Sequence, residues 1–202
     1  MQWRSTNEDW GAVAKLLHWA MALCILIMIA MGITMRWFLA GDPVRQAQAY
    51  GLHESFGFTL LLFAVARLLW RLTAKTVPTA SIAAKPYERW LANGVHVALY
   101  IAMIGMPMSG MLATSASPRN GPTVIFGLLT LPRPIGPNAA LATLFSGFHF
   151  WLACLLVVSV TLHVAGAIRH AVVLRDGVAQ RMAPGGGRSL GAASTSASLP
   201  PL

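Results

Sequence analysis

A chain of 202 residues with 56% apolar residues, only 10% charged residues and a mean hydropathy of +0.61 has too little polar surface to cover a soluble globule of its size. The formal charge of +9 does not point to nucleic acid, because the basic residues stand at the ends of apolar runs instead of forming a stripe. Cys24 and Cys154 both lie inside apolar segments and no CxxC motif exists, which excludes a cysteine metal site and leaves them as small buried hydrophobes.

Four stretches reach the ~20 residues of helix that cross a ~30 Å hydrocarbon core. The first, 12–39, has an apolar run from Val13 to Met35 that is too long for a signal peptide, so it is expected to be retained. The second covers 50–73, and the third covers 88–113 with Pro107 late in it as a predicted kink. Between the third and fourth stretches, Thr114 to Ala140 is rich in Pro and Gly, and its apolar centre, Val124 to Leu131, is expected to lie on the membrane surface. The fourth stretch covers 141–174, and from about residue 184 to 202 a Gly, Ser and Ala composition predicts a disordered tail. A backbone in lipid must satisfy its own hydrogen bonds, and none of these runs alternates as a barrel strand would. The predicted fold class is an all-α membrane protein, one domain of residues 1–183 built as a bundle of four transmembrane helices.

Orientation follows from the basic residues. Arg4, Lys15, Arg67, Arg71, Lys75, Lys85, Arg89, Arg169, Arg175, Arg181 and Arg188 fall on one side, against Arg36, Arg45, Arg119 and Arg133 on the other. The excess predicts both termini in the cytoplasm. The tryptophans lie mostly near the predicted interfaces, as an aromatic belt requires.

All six histidines lie in or at the ends of the spans, where ionisable residues are rare and usually functional. His149 and His163 are fourteen residues apart on the fourth helix, a rise of about 21 Å and a rotation within about 40° of whole turns, so they share one face at two depths. By depth, His53 on the second helix meets His149, and His18 on the first meets His163. A neutral imidazole is a common axial ligand of haem iron, and two from facing helices leave no open position for oxygen, which favours electron transfer. The alternative for each histidine singly is a hydrogen bond between helices. Gly57, Gly147 and Gly166, close in sequence to His53, His149 and His163, leave room for a flat porphyrin or serve plain helix packing. His96, on the third helix, rivals His18 as partner to His163 and is otherwise a neighbour of the haem or part of a quinone pocket. His170, seven residues after His163, suits proton exchange, quinone contact or an interfacial position. Arg67 and Arg71 either snorkel to the interface or pair with haem propionates.

The segments WGAVAKLLHWAMAL, GLHESFGFTLLLFAVARLLWRLT, ERWLANGVHVALYIAMIGMPMSG, FGLLTLP, HFWLACLLVVSVTLHVAGAIRH and VLRDGVAQRM resemble the bacterial cytochrome b561 family over about residues 8–183. The resemblance implies a four-helix bacterial inner-membrane protein enclosing two non-covalent b haems, with quinone as an electron partner and His18, His53, His149 and His163 at the iron-binding positions. It extends to the cytochrome b subunits of membrane formate dehydrogenases and hydrogenases, whose last helix carries the same histidine spacing. Many relatives read HH after the last-helix pair, whereas this chain has Arg169, His170 and Ala171. Members of the family have been assigned superoxide oxidation. The leading expectation is therefore a superoxide:ubiquinone oxidoreductase, its anionic substrate drawn by Arg36, Arg45, Arg119 and Arg133, which outweigh Asp42 and Glu54 on that side. The alternative is an electron-transfer subunit anchoring a partner dehydrogenase or hydrogenase. A histidine-lined metal-ion transporter is disfavoured, because the spans contain almost no carboxylates to neutralise a cation.

Overall fold

The computed structural model of the chain describes residues 2–76, 78, 85–118 and 121–185. Four long apolar helices carry it: α1 (Ala12–Trp37), α2 (Pro43–Leu72), α3 (Pro86–Ala116) and α4 (Ala139–Ile168), the last continuing through a π-helical turn, Arg169–Leu174, and followed by the short α5 (Val178–Met182). Arg119, Arg188 and all but the first two residues of the predicted tail lie outside the described residues. The chain is a multi-pass membrane protein of four spanning helices.

The helices outrun the predicted spans where polar caps extend them past the apolar window. α2 starts at Pro43 instead of residue 50 because the Asp42 carboxylate accepts the Arg45 N–H at 3.1 Å and Pro43 is preset for a first helical turn. α3 starts at Pro86, where the Glu88 carboxylate accepts the Lys85 N–H at 2.9 Å, and it runs through Pro107 to Ala116 without ending. Asn138 caps α4 by accepting the Leu141 N–H at 3.1 Å. Hydropathy finds only the lipid-immersed part of each helix, so these polar ends were invisible to it.

The core is one layer at mid-depth. Met21, Cys24, Ile25 and Met28 recur at helical spacing along one face of α1 and meet Leu60 and Ala64 of α2, Ala102, Met103 and Met106 of α3, and Leu156 of α4. Helix α4 packs closely on α3, α1 on α2, and α2 on α3, whereas α1 and α2 have at most sparse backbone contact with α4. Only 11% of the α4 span is buried, against 33% for α3, so a broad face of α4 is left bare by the protein itself.

Within Val124 to Leu131 the chain forms a two-stranded hairpin, β1 (Val124–Ile125) and β2 (Leu129–Thr130), with Val124 opposite Thr130. Phe126 and Gly127 take positive φ (47° and 73°), the tight turn that matches strand twist. The Phe126 N–H donates to Ser55 Oγ at 2.9 Å and its ring meets Phe56 edge-on at 5.4 Å, folding the hairpin onto α2. The bundle thus has a hairpin end and, opposite, a basic end that holds the N-terminal segment and the α2–α3 connection.

Candidate functional site

Two histidine pairs bridge the gaps that the backbone leaves beside α4. His53 of α2 faces His149 with ring centroids 6.1 Å apart, and His18 of α1 faces His163 at 6.0 Å. All four rings are half-buried. Leu156 lies seven residues from both His149 and His163 and is 1% exposed, so the packed methionine layer separates the pairs.

The spacing suits a metal between the rings. An imidazole nitrogen binds a first-row transition metal at ~2.0–2.1 Å, so two on opposite sides of one ion place their ring centres roughly 6 Å apart. The helices agree with that reading, since each pair joins two helices that are not packed on each other and a planar group has room between them. A Cβ built at Gly147 or Gly166 meets nothing within 4 Å, as expected for open space beside the paired rings. Gly57 differs: its Cβ would meet Met28 Cε at 3.5 Å, so it serves the contact of α1 with α2.

His149 is held by residues that the sequence did not single out. Its Nδ1–H donates to the Met106 carbonyl at 2.9 Å, Ser109 Oγ lies 3.4 Å from the same nitrogen, and Ser109 Oγ donates to that carbonyl at 2.7 Å. Donation through Nδ1 leaves the Nε2 lone pair for a ligand, the arrangement usual for metal-binding histidines. Gly110 makes the approach possible, because a Cβ there would lie 3.1 Å from His149 Cε1 and Nδ1. A small-residue pair two and three positions after Pro107 was the available signal. His53 Nδ1 is buried without a hydrogen-bond partner, which argues against a plain interhelical hydrogen bond through that nitrogen.

His96 stands closer to His163 than His18 does, at 5.2 Å between centroids. That distance is shorter than a shared metal requires, and it spans α3 and α4, which pack directly on each other. His96 Nδ1–H donates to the Ala92 carbonyl at 2.7 Å, so its Nε2 is free to contact whatever lies beside His163.

Arg67 is half-buried and donates to the Ala14 carbonyl at 3.0 Å, which ties α2 to α1 and brings a positive charge near Tyr100, His18, His96 and His163. Arg71, one turn on, is exposed. His170 sits in the π-helical turn, and its Nδ1 pairs with Asp176 Oδ2 at 2.7 Å. Its neighbour Arg169 pairs instead with Glu88, fastening the end of α4 to the start of α3.

The family described as Prokaryotic cytochrome b561 matches residues 9–185. Cytochrome b561 homolog 2 of Escherichia coli (strain K12) is 30% identical over 182 residues, 90% of this chain and 95% of that protein. With four spanning helices and a family match over most of its length, the chain belongs to the prokaryotic cytochrome b561 family, membrane proteins that bind haem b and transfer electrons.

Proposed function

We propose that the chain holds two b haems, one between His53 and His149 and one between His18 and His163, and that it carries electrons from superoxide at the hairpin end to membrane ubiquinone. The observation that carries this reading is the stacking of two histidine pairs on one face of α4, across the gaps to α2 and α1. When bound, haem would supply one-electron redox chemistry, with His53 and His149 holding one group and His18 and His163 the other. The residues supply the rest. His149 is oriented by Met106 and Ser109, the Leu156 layer keeps water from the space between the pairs, and Arg67 sets a positive field at the basic end. Each superoxide would lose one electron and leave as dioxygen, and two electrons with two protons would convert quinone to quinol.

The distribution of basic residues supports a hairpin end facing the periplasm of a bacterial inner membrane and both termini in the cytoplasm. At the hairpin end Arg36 is exposed over the Trp37 ring, while Arg45 pairs with Asp42 at 3.3 Å. Arg133 is fixed to the carbonyls of Ser115 and Ser117 and so shapes the loop as well as the field. Quinone is assigned to the basic end, where His96 presents Nε2 beside His163. Stopped-flow mixing of the oxidised protein with superoxide tests the proposal. Haem absorbance should shift to the reduced form and be reoxidised by added ubiquinone. Absence of reduction by superoxide, together with stable co-purification of a dehydrogenase or hydrogenase, would replace this reading with that of an electron-transfer subunit.

A further inference from the structure

The N-terminal segment folds back against the far end of α2 and borders an open cleft there. Its shape is built, not incidental. The Ala12 N–H donates to the Gln2 carbonyl at 2.9 Å, the Gly11 N–H to Ser5 Oγ at 3.2 Å, and Thr76 Oγ1 to the Ser5 carbonyl at 2.7 Å. Gly11 is required for the return, because a Cβ there would fall 2.4 Å from the Arg4 carbonyl carbon and the Trp3 oxygen. The result is an open cleft of about 230 Å³ lined by Arg4, Ser5, Trp70, Thr73, Lys75 and Thr76.

The cleft is cationic and short of anions. Among the described residues Arg4 and Lys75 make no ion pair and no carboxylate lines the cleft, Asp9 pairing with Lys15 at 3.1 Å and Glu88 with Arg169. The hydroxyls of Thr73 and Thr76 donate to backbone carbonyls, so the two cations, with the Ser5 hydroxyl, are the groups able to meet a ligand. Leu69 and Leu72 are exposed on the same last turns of α2, an apolar surface at this end of the helix.

We propose that this cleft binds a phosphate-bearing anion, with the headgroup phosphodiester of an anionic phospholipid as the occupant whose acyl chains that apolar surface would accept. Guanidinium and ammonium groups at a membrane boundary recognise phosphate by charge-assisted hydrogen bonds, and basic pockets between helices on the cytoplasmic side are suited to acidic headgroups. The proposal stands apart from the electron donor and acceptor.

The test uses the haem-loaded protein in neutral detergent, titrated separately with phosphatidylglycerol, phosphatidylcholine and inorganic phosphate. Binding is read by retention in native mass spectrometry and by thermal unfolding. Phosphatidylglycerol should bind at least ~tenfold more tightly than phosphatidylcholine, and Arg4→Gln or Lys75→Gln should each weaken it by about tenfold or more. Arg45→Gln, at the opposite end, should leave it unchanged. Inorganic phosphate binding as tightly as the lipid, with the same loss in both variants, would keep the site and assign it to a free anion. Equal retention of the two lipids, or wild-type phosphatidylglycerol binding in both variants that keep the haem spectrum, would overturn the proposal.

Discussion

The Nδ1–H of His149 donates to the Met106 carbonyl at 2.9 Å across the contact between α4 and α3, and this one bond fixes which ring nitrogen faces His53. Ser109 joins the same carbonyl, and Gly110 leaves the room for the imidazole to come in. Helix α3 thus contributes no proposed ligand at the hairpin end but sets the aim of one.

Gly110→Val should therefore disturb the hairpin-end pair alone. The added methyls enter a space where even a Cβ lies 3.1 Å from the His149 ring, so the imidazole must tilt or retreat. We expect haem content to fall by up to one per chain, with the remaining absorbance belonging to the basic-end haem. Full occupancy and an unchanged electron paramagnetic resonance spectrum would show that the ring position is not critical.

His18 and His96 compete for the partnership with His163, and the packing of the helices separates them. His96 is nearer, but it and His163 lie on α3 and α4, which pack directly on each other, whereas His18 lies across a gap between helices. We predict that His18→Ala loses one haem and that His96→Ala keeps both while slowing reoxidation by quinone. If His96→Ala loses the haem and His18→Ala keeps it, α3 supplies the ligand.

The pairing of His53 with His149 and of His18 with His163 was legible in the sequence, because helical rise and rotation over fourteen residues fix depth and face together. The hairpin was not: its closure depends on positive φ at Phe126 and on Ser55, distant in sequence, receiving the Phe126 N–H. The bond from Arg67 to the Ala14 carbonyl was not legible for the same reason, since Ala14 belongs to another helix. Likewise the pairing of His170 with Asp176 forms within a π-helical turn that α-helical spacing does not describe. Local spacing reports faces and depths, and it cannot report which distant backbone group will meet a side chain.

Reduction by superoxide should slow as ionic strength rises. At 0.15 M salt the reach of a charge falls to about 8 Å, so the field of Arg36 would guide superoxide only near the surface. Arg36→Glu should slow haem reduction by superoxide several-fold at low salt and leave reduction by quinol nearly unchanged. A rate indifferent to both salt and this substitution would remove the electrostatic part of the account.

The central claim is that the two histidines of α4 each anchor a separate haem, and haem content per chain tests it most directly. Loss of one axial bond leaves iron five-coordinate beside a cavity and weakens retention of a non-covalent group. Pyridine haemochrome analysis of purified protein should give two haems b for the wild type, about one for His149→Ala and about one for His163→Ala, with different absorbance maxima surviving in the two variants. One haem in the wild type, or the same haem surviving in both variants, would contradict it.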